Sequence, residues 1–196
     1  MSSRAALGLF GGAFDPPHNG HVALVRAAKA ALRLERVIVL VAADPAHKRV
    51  GTPAGARLEM ASAAFPTDEV ILDEHSRTVD ALRAHSEWGN PVFLIGADEF
   101  EEFLSWQEPD QVLRLARLGV AARPGHPPER LSAVLDRLET PERVLFFDLE
   151  QPVASRELRA RLERGESARE LLPGAVASII EREGLYGRAP GYTGAA

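Results

Sequence analysis

The sequence predicts an α/β fold, a doubly wound parallel sheet with helices on both faces. Three observations predict it. Six short apolar runs alternate with segments of helical period, and repeated strand–helix alternation builds a parallel sheet covered on both sides. A Gly-Gly pair sits between the first apolar run and the first helical segment, at a strand's carboxyl end, where sheets of this kind bind ligands. The chain has 196 residues, 45% of them hydrophobic, which suits one domain of ordinary size with a full core. The architecture expected is therefore Rossmann-like.

Each element has its local reason. The apolar stretch Ala6 to Phe10 gives a first strand over Leu7–Phe10, and Gly11-Gly12 ends it. Asp15-Pro16-Pro17 stiffens the next loop, because proline fixes φ and bars a helix from continuing into it. An amphipathic helix follows over Gly20–Leu34, then a strand over Arg36–Val41. The Pro/Gly-rich stretch Ala43–Gly55 reads as a long surface loop, leading to a helix over Ala54–Ala64. Val70–Leu72 is the third strand and Thr78–His85 its helix; Val92–Ile95 is the fourth, followed by helices over Ala97–Leu104 and Pro109–Leu115. Leu118–Ala121 is the fifth strand, Arg123–Glu129 a second long loop, Pro128–Leu138 a helix and Val144–Phe147 the last strand. Helices over Ser155–Arg164 and Gly174–Glu183 close the chain, separated by the Gly165-Glu166-Ser167 turn, with Pro173 near the start of the last. The crossovers should be right-handed. Residues 1–186 form the expected domain, and the small, polar, Gly/Pro-rich segment Gly187–Ala196 is expected to be disordered.

Composition removes several function classes. No apolar run reaches the roughly 18 residues of a membrane-spanning helix, and Met1-Ser2-Ser3-Arg4 offers no signal-peptide core. Cysteine is absent, so there is no disulfide framework, in agreement with a reducing cytosol. A net charge of -5, from 23 basic and 28 acidic residues, counts against a surface that coats nucleic acid, while leaving room for a local basic pocket. The expectation is a cytoplasmic protein without a membrane or nucleic-acid partner. Nothing in the residues selects an oligomeric state.

The run from Leu7 to His21 carries the chemistry. Glycines after a strand and before a helix free backbone amides, and those amides and the helix dipole both favour phosphate. His18 and His21, three residues apart on one helix face, add donors that can follow charge onto a reacting phosphoryl group. The plainer readings are a simple turn, or a structural metal at the two histidines; without cysteine or an acidic cluster beyond Asp15, zinc is disfavoured. The spacing is neither Gly-x-Gly-x-x-Gly nor a Walker loop.

Further along, His47, Lys48 and Arg49 follow the second strand, where lysine can meet phosphate oxygens or simply face solvent. Gly96 permits close ligand approach, and Asp98 can accept from ribose hydroxyls or merely cap the next helix. Trp106 is either core or a stacking platform. Ser155 can cap a helix and donate to phosphate, with Arg159 one turn on presenting a planar fork; the alternative is an ordinary helix start with a surface arginine.

Gly11 to His21 resembles the phosphate-binding signature of the nucleotidyltransferase superfamily with the His-x-Gly-His motif, and its Pro-x-His-x-Gly-His form is similar to bacterial nicotinate-nucleotide adenylyltransferases. The resemblance continues in order through Ala46-His47-Lys48, Arg57-Leu58-Glu59-Met60, Ser76 to Leu82, Ile95-Gly96-Ala97-Asp98, Trp106, Arg123-Pro124-Gly125, Ser155 to Leu162, Leu171-Leu172-Pro173 and Gly184-Leu185-Tyr186. It implies an enzyme of NAD biosynthesis that condenses ATP with nicotinate mononucleotide to deamido-NAD and pyrophosphate, with Mg²⁺ carried by ATP and no metal held by protein side chains. It assigns His18, His21, Lys48 and Arg159 to catalysis. It sets Gly11, Gly12, Phe14, His18, His21, Gly96, Asp98, Ser155 and Arg159 against ATP, and Ala13, Lys48, Thr78 and Trp106 against the mononucleotide. Trp106 matches a tryptophan beside the pyridine ring, and Thr78 the region whose amides meet the nicotinate carboxylate. Ala46 departs from the family's Pro-Pro-His-Lys loop, and Ala154 and Arg156 depart from its Ile-Ser-Ser-Thr-x-x-Arg motif. The alternatives are a nicotinamide-mononucleotide or pantetheine-phosphate adenylyltransferase, the latter usually shorter and without the Trp106 region, and a regulatory module that binds nucleotide without turnover.

Overall fold

In the computed structural model, which describes residues 6–45, 50–122, 125–149, 158, 160–162, 164 and 166–186, each of the six apolar runs is a strand. They are β1 (Leu7–Gly12), β2 (Arg36–Ala42), β3 (Glu69–Asp73), β4 (Val92–Gly96), β5 (Arg117–Ala122) and β6 (Val144–Asp148). All pair in parallel, in the order β3-β2-β1-β4-β5-β6. The chain winds outward from β1 to β3, then returns to lay β4 on the other side of β1 and winds outward again. That reversal opens a crevice beyond the carboxyl ends of β1 and β4, the place where such sheets hold ligands.

The strands read as continuous apolar runs because both faces are covered. Val37, Val39 and Val41 of β2 join one layer, with Leu24, Val25 and Ala28 of α1 (Asn19–Leu32), Met60 and Ala61 of α2 (Ala54–Ala64) and Val176 and Ile180 of a C-terminal helix (Gly174–Glu183). Ile38 and Leu40 face the opposite layer. There they meet Val79 and Leu82 of α3 (Thr78–Ala84), Phe100 of α4 (Ala97–Glu101), Val112 and Leu113 of α5 (Pro109–Leu115) and Leu131 and Val134 of α6 (Pro128–Leu135). The side-chain period of two sends alternate residues of one strand into separate cores.

The boundaries differ from expectation at helix ends. The first helix stops at Leu32, and Arg33 takes a left-handed conformation (φ 52°) as its C-cap. The helix expected over Ala97–Leu104 ends at Glu101, and Phe103–Ser105 forms a separate 3-10 turn. There the Ser105 hydroxyl donates to the Glu102 carbonyl at 2.6 Å, a local side-chain bond that competes with continued helix. The helix expected to Leu138 ends at Leu135. Of the helix expected over Ser155–Arg164, residues 158 and 160–162 are described and helical. The segment Gly187–Ala196 lies outside the described residues.

One buried charge ties the site end of the sheet together. Arg57, on α2, is 1% exposed. Its Nη1 donates to the carbonyls of Ala13 at 2.8 Å and Ala42 at 2.7 Å, its Nη2 to Ala43 at 2.9 Å and its Nε to Thr52 at 3.0 Å. These four carbonyls belong to the loop after β1, the end of β2 and the approach to α2. A guanidinium presents enough donors in one plane to satisfy all four. An Arg57→Leu variant would strand several buried acceptors at about 1–3 kcal/mol each. We expect a loss of at least about 3 kcal/mol in unfolding free energy, measured by urea titration at constant m-value; a loss under about 1 kcal/mol would show that the carbonyls find other partners.

Candidate functional site

The loop between β1 and α1 is shaped before any ligand arrives. Phe14 adopts φ 49°, a region that side chains rarely enter. Its ring is 2% exposed and packs edge-on against Phe10 at 5.4 Å and Phe65 at 6.0 Å. Burying the aromatic offsets the backbone strain and anchors the turn. Phe14 therefore faces the core, and only its backbone is left to meet a ligand. Asp15, 5% exposed, accepts from the backbone N–H of Gly51 at 3.3 Å and from the hydroxyl of Tyr186.

The two histidines cap α1 with each other. His18 is the N-cap residue; its Nδ1 accepts from the His21 backbone N–H at 3.3 Å, and the Nδ1 of His21 accepts from the His18 backbone N–H at 3.2 Å. The rings stack at 3.6 Å with an 18° interplanar angle, and His21 also meets the edge of Phe14 at 5.2 Å. An Nδ1 that accepts carries no proton, so in each neutral ring the hydrogen sits on Nε2. Both rings thus carry hydrogen on Nε2 at the start of a helix whose first turn holds no acidic residue, His18 buried and His21 half-buried. This arrangement suits phosphate oxygens. As a metal site it is incomplete: among the described residues no group of three or more His, Cys, Asp or Glu is placed to hold an ion.

Beside this loop lies a cavity of about 430 Å³, lined in part by Gly11, Gly12, Ala13, Thr78 and Trp106. Its size falls in the range of small-ligand sites. Packing at Gly11 is tight: a Cβ would stand 3.0 Å from Cζ of Phe93, and that ring, which also lines the cavity, would have to give way. Trp106, half-buried, leans edge-on against Phe93 at 6.2 Å and Phe103 at 5.3 Å. The indole thus packs on core aromatics and also lines the cavity. Thr78 opens α3 in the same wall.

His18, His21, Phe14, Gly96 and Asp98 stand outside the cavity lining. Gly96 ends β4 and is the N-cap of α4; Glu99 caps it, accepting from the Gly96 N–H at 3.1 Å. The Gly96 N–H is thus capped by Glu99, while Asp98, read as ribose acceptor or cap, is exposed in the first turn. A Cβ at Gly96 would lie 2.6 Å from the Asp98 carboxylate. Lys48, Ser155 and Arg159, with Ala46, Ala154 and Arg156, lie outside the described residues.

Several lining residues carried no assignment in the sequence. Asp73 and His75 end β3 and enter its loop; Asp73 Oδ1 accepts from the His75 backbone N–H at 3.0 Å and pairs with its Nδ1 at 2.8 Å. Ser76, Arg77, Glu102 and Gln107 also line the wall. Their signal was positional, since they follow strand and helix ends on the ligand side. Behind the wall, Arg83 of α3 grips Glu108 through two hydrogen bonds of 3.0 and 2.6 Å. That hydrogen-bonded pairing holds the Glu108 carboxyl below its ordinary range. The bridge joins the helix that starts at Thr78 to the segment that carries Trp106.

Residues 9–161 match the Cytidylyltransferase-like family. A Thermus thermophilus protein named "Probable nicotinate-nucleotide adenylyltransferase" is 38% identical over 191 residues, covering 92% of this chain and 98% of the relative. A Bordetella petrii protein of the same name is 36% identical over 191 residues, with the same coverage. Among solved structures, Plasmodium falciparum nicotinic acid mononucleotide adenylyltransferase complexed with NaAD shares the fold at TM-score 0.75 and 16% identity, covering 93% of this chain and 98% of that one.

The reciprocal cap makes its own prediction. His18→Ala removes a side-chain acceptor from the helix start, at a cost of about 1 kcal/mol. His18→Asn restores an acceptor and should recover most of that loss. Chemical denaturation of both variants checks the expectation; equal stability of the alanine variant and the parent would show that the Nδ1 contact does not hold the helix.

Proposed function

This chain belongs to the cytidylyltransferase-like family, and we propose that it transfers the adenylyl group of ATP to nicotinate mononucleotide, giving deamido-NAD and pyrophosphate in pyridine-nucleotide synthesis. The observation that carries this reading is one cavity lined both by the glycines of the phosphate loop and by Trp106. One small molecule can therefore touch amide donors at one end and a flat aromatic at the other. The two relatives described above carry the matching name over nearly their full length.

The attacking group is the mononucleotide's own phosphate, already an anion at neutral pH, so no side-chain nucleophile is needed. Catalysis is alignment and charge stabilisation. Gly11 and Gly12 admit phosphate against the backbone. His18 aligns phosphate through Nε2–H, and His21 donates to the α-phosphate of ATP as charge builds. Gly96 and Asp98 take the ribose side of ATP, with Phe14 contributing backbone only. Ala13, Thr78 and Trp106 hold the mononucleotide. Lys48 serves both ligands, while Ser155 and Arg159 complete the triphosphate site and, with Lys48, neutralise the leaving pyrophosphate; these three assignments rest on the sequence motifs. The donors around the loop are backbone amides and imidazole N–H groups, which bind oxygen and repel cations. The loop's buried carboxylate, Asp15, is already committed to Tyr186 and Gly51. The residues present therefore fit Mg²⁺ held by the phosphates of ATP, where it would spread their negative charge. No helix of the described residues is long and apolar enough to cross a membrane, and we place the reaction in the cytoplasm.

The test offers ATP and Mg²⁺ with nicotinate mononucleotide, nicotinamide mononucleotide or phosphopantetheine and reads pyrophosphate release. We expect the acid to exceed the amide by at least about tenfold in kcat/KM, or roughly 1.4 kcal/mol. Equal turnover of acid and amide would overturn the acid assignment, and absence of product with all three would leave only a binding module. In the same assay His21→Ala should lower kcat on the order of a hundredfold with little change in KM, the pattern of a contact made in the transition state. Near-normal kcat in a folded variant would remove His21 from the chemistry.

A further inference from the structure

We propose that Arg77 reads the carboxylate on the pyridine ring and so sets the preference for the acid over the amide, an inference that rests on the function proposed above. The cavity has an uneven charge balance. Asp73, Glu99 and Glu102 contribute carboxylates to its lining, and Arg77 is its one permanent cation among the described residues. The proposed ligand is itself anionic at both ends. Its phosphate belongs with the amides and imidazoles of the β1–α1 loop. Its ring carboxylate then falls at the Trp106 end, beside the Thr78 amides that the resemblance sets against it but among acidic groups, where a charge is unfavourable without a further partner.

Arg77 is positioned to be that partner. It immediately precedes Thr78 and lines the same cavity as Trp106 and Gln107. Its side chain makes no hydrogen bond or ion pair among the described residues, and it is exposed. The carboxylate within its electrostatic reach, Glu108, is held instead by both Nη atoms of Arg83. Asp73 is likewise engaged by His75, and Glu99 by the α4 cap. Two of the three lining acids, Asp73 and Glu99, and Glu108 behind them thus have other partners, and the Arg77 fork, which pairs with none of these acids among the described residues, is left for the ligand. The discrimination follows from donor count. A carboxylate offers two acceptor oxygens to a planar guanidinium, whereas a carboxamide offers one oxygen and an amino group that opposes a second donor.

The test compares wild type, Arg77→Gln and Arg77→Lys on both mononucleotides, with ATP saturating. A hydrogen-bonded charge contact of this kind corresponds to about ten- to a hundredfold. We expect Arg77→Gln to lose that much in kcat/KM for nicotinate mononucleotide, and no more than about twofold for the amide. Arg77→Lys should recover part of the loss, keeping the charge without the fork. Calorimetric titration of the two mononucleotides should show the same selective loss without turnover, and thermal melting confirms the fold. A fall shared equally by acid and amide would mean that Arg77 meets the phosphate, and would overturn the proposal. An unchanged acid-to-amide ratio overturns it also. If wild type itself turns over neither mononucleotide, the functional reading fails first, a result separate from anything seen in the variants.

Discussion

The position of the loop after β1 depends on Arg57. Three segments converge at the carboxyl ends of β1 and β2, and each brings a carbonyl that the sheet ladder does not satisfy. Buried acceptors of this kind are costly when left alone. A guanidinium solves the problem with fixed geometry, because its donors lie in one plane and cannot follow the loops apart. Its charge, out of water, is compensated by four carbonyl dipoles. Lysine would have the charge without the span. The loop after β1 is thereby registered against the loop after β2, and the cavity inherits a stable floor.

Histidine is an uncommon helix cap, and the alternatives show what it adds. Aspartate would accept the same N–H but would put negative charge where the proposed function needs a phosphate. Serine would cap without reaching outward. An imidazole accepts with one nitrogen and donates with the other, so His18 and His21 satisfy the helix through Nδ1 and keep a hydrogen on Nε2. The stacked pair also has little rotational freedom left, since each ring is held by a backbone N–H and by its neighbour. Donors already aimed need no reorganisation when charge develops. Phe14 supports this from beneath, its ring edge against His21.

The fold was legible because its signals are periodic and local. Buried parallel strands announce themselves as apolar runs, and glycine and proline punctuate them. Helix ends were less legible, since Ser105 stops a helical turn with a side-chain bond whose partner is three residues away. In the site, Gly11, Gly12 and the histidines were readable as one motif. Trp106 and Thr78 needed the fold to bring them to the same cavity from different crossovers. Arg57 was visible as a residue and not as a hub, because its four acceptors are backbone atoms that no sequence displays. Arg77 was hidden for a related reason: its meaning lies in which neighbouring acids are already engaged, and that depends on Arg83, His75 and the α4 cap.

The contact between Tyr186 and Asp15 spans 171 positions of sequence, and this sets an order of events during synthesis. Asp15 emerges from the ribosome early, with β1 and the start of α1. β2 can pair with β1, and β3 with β2, as they appear, but the other edge of β1 stays open until β4 is made. The hydroxyl that meets Asp15 arrives only after the helix ending at Glu183. A nascent chain can therefore have most of its sheet while the loop after β1 lacks one of its braces. The first loop translated is among the last to reach its finished form, and a chain released short of Tyr186 would carry the whole motif with its carboxylate held from one side fewer.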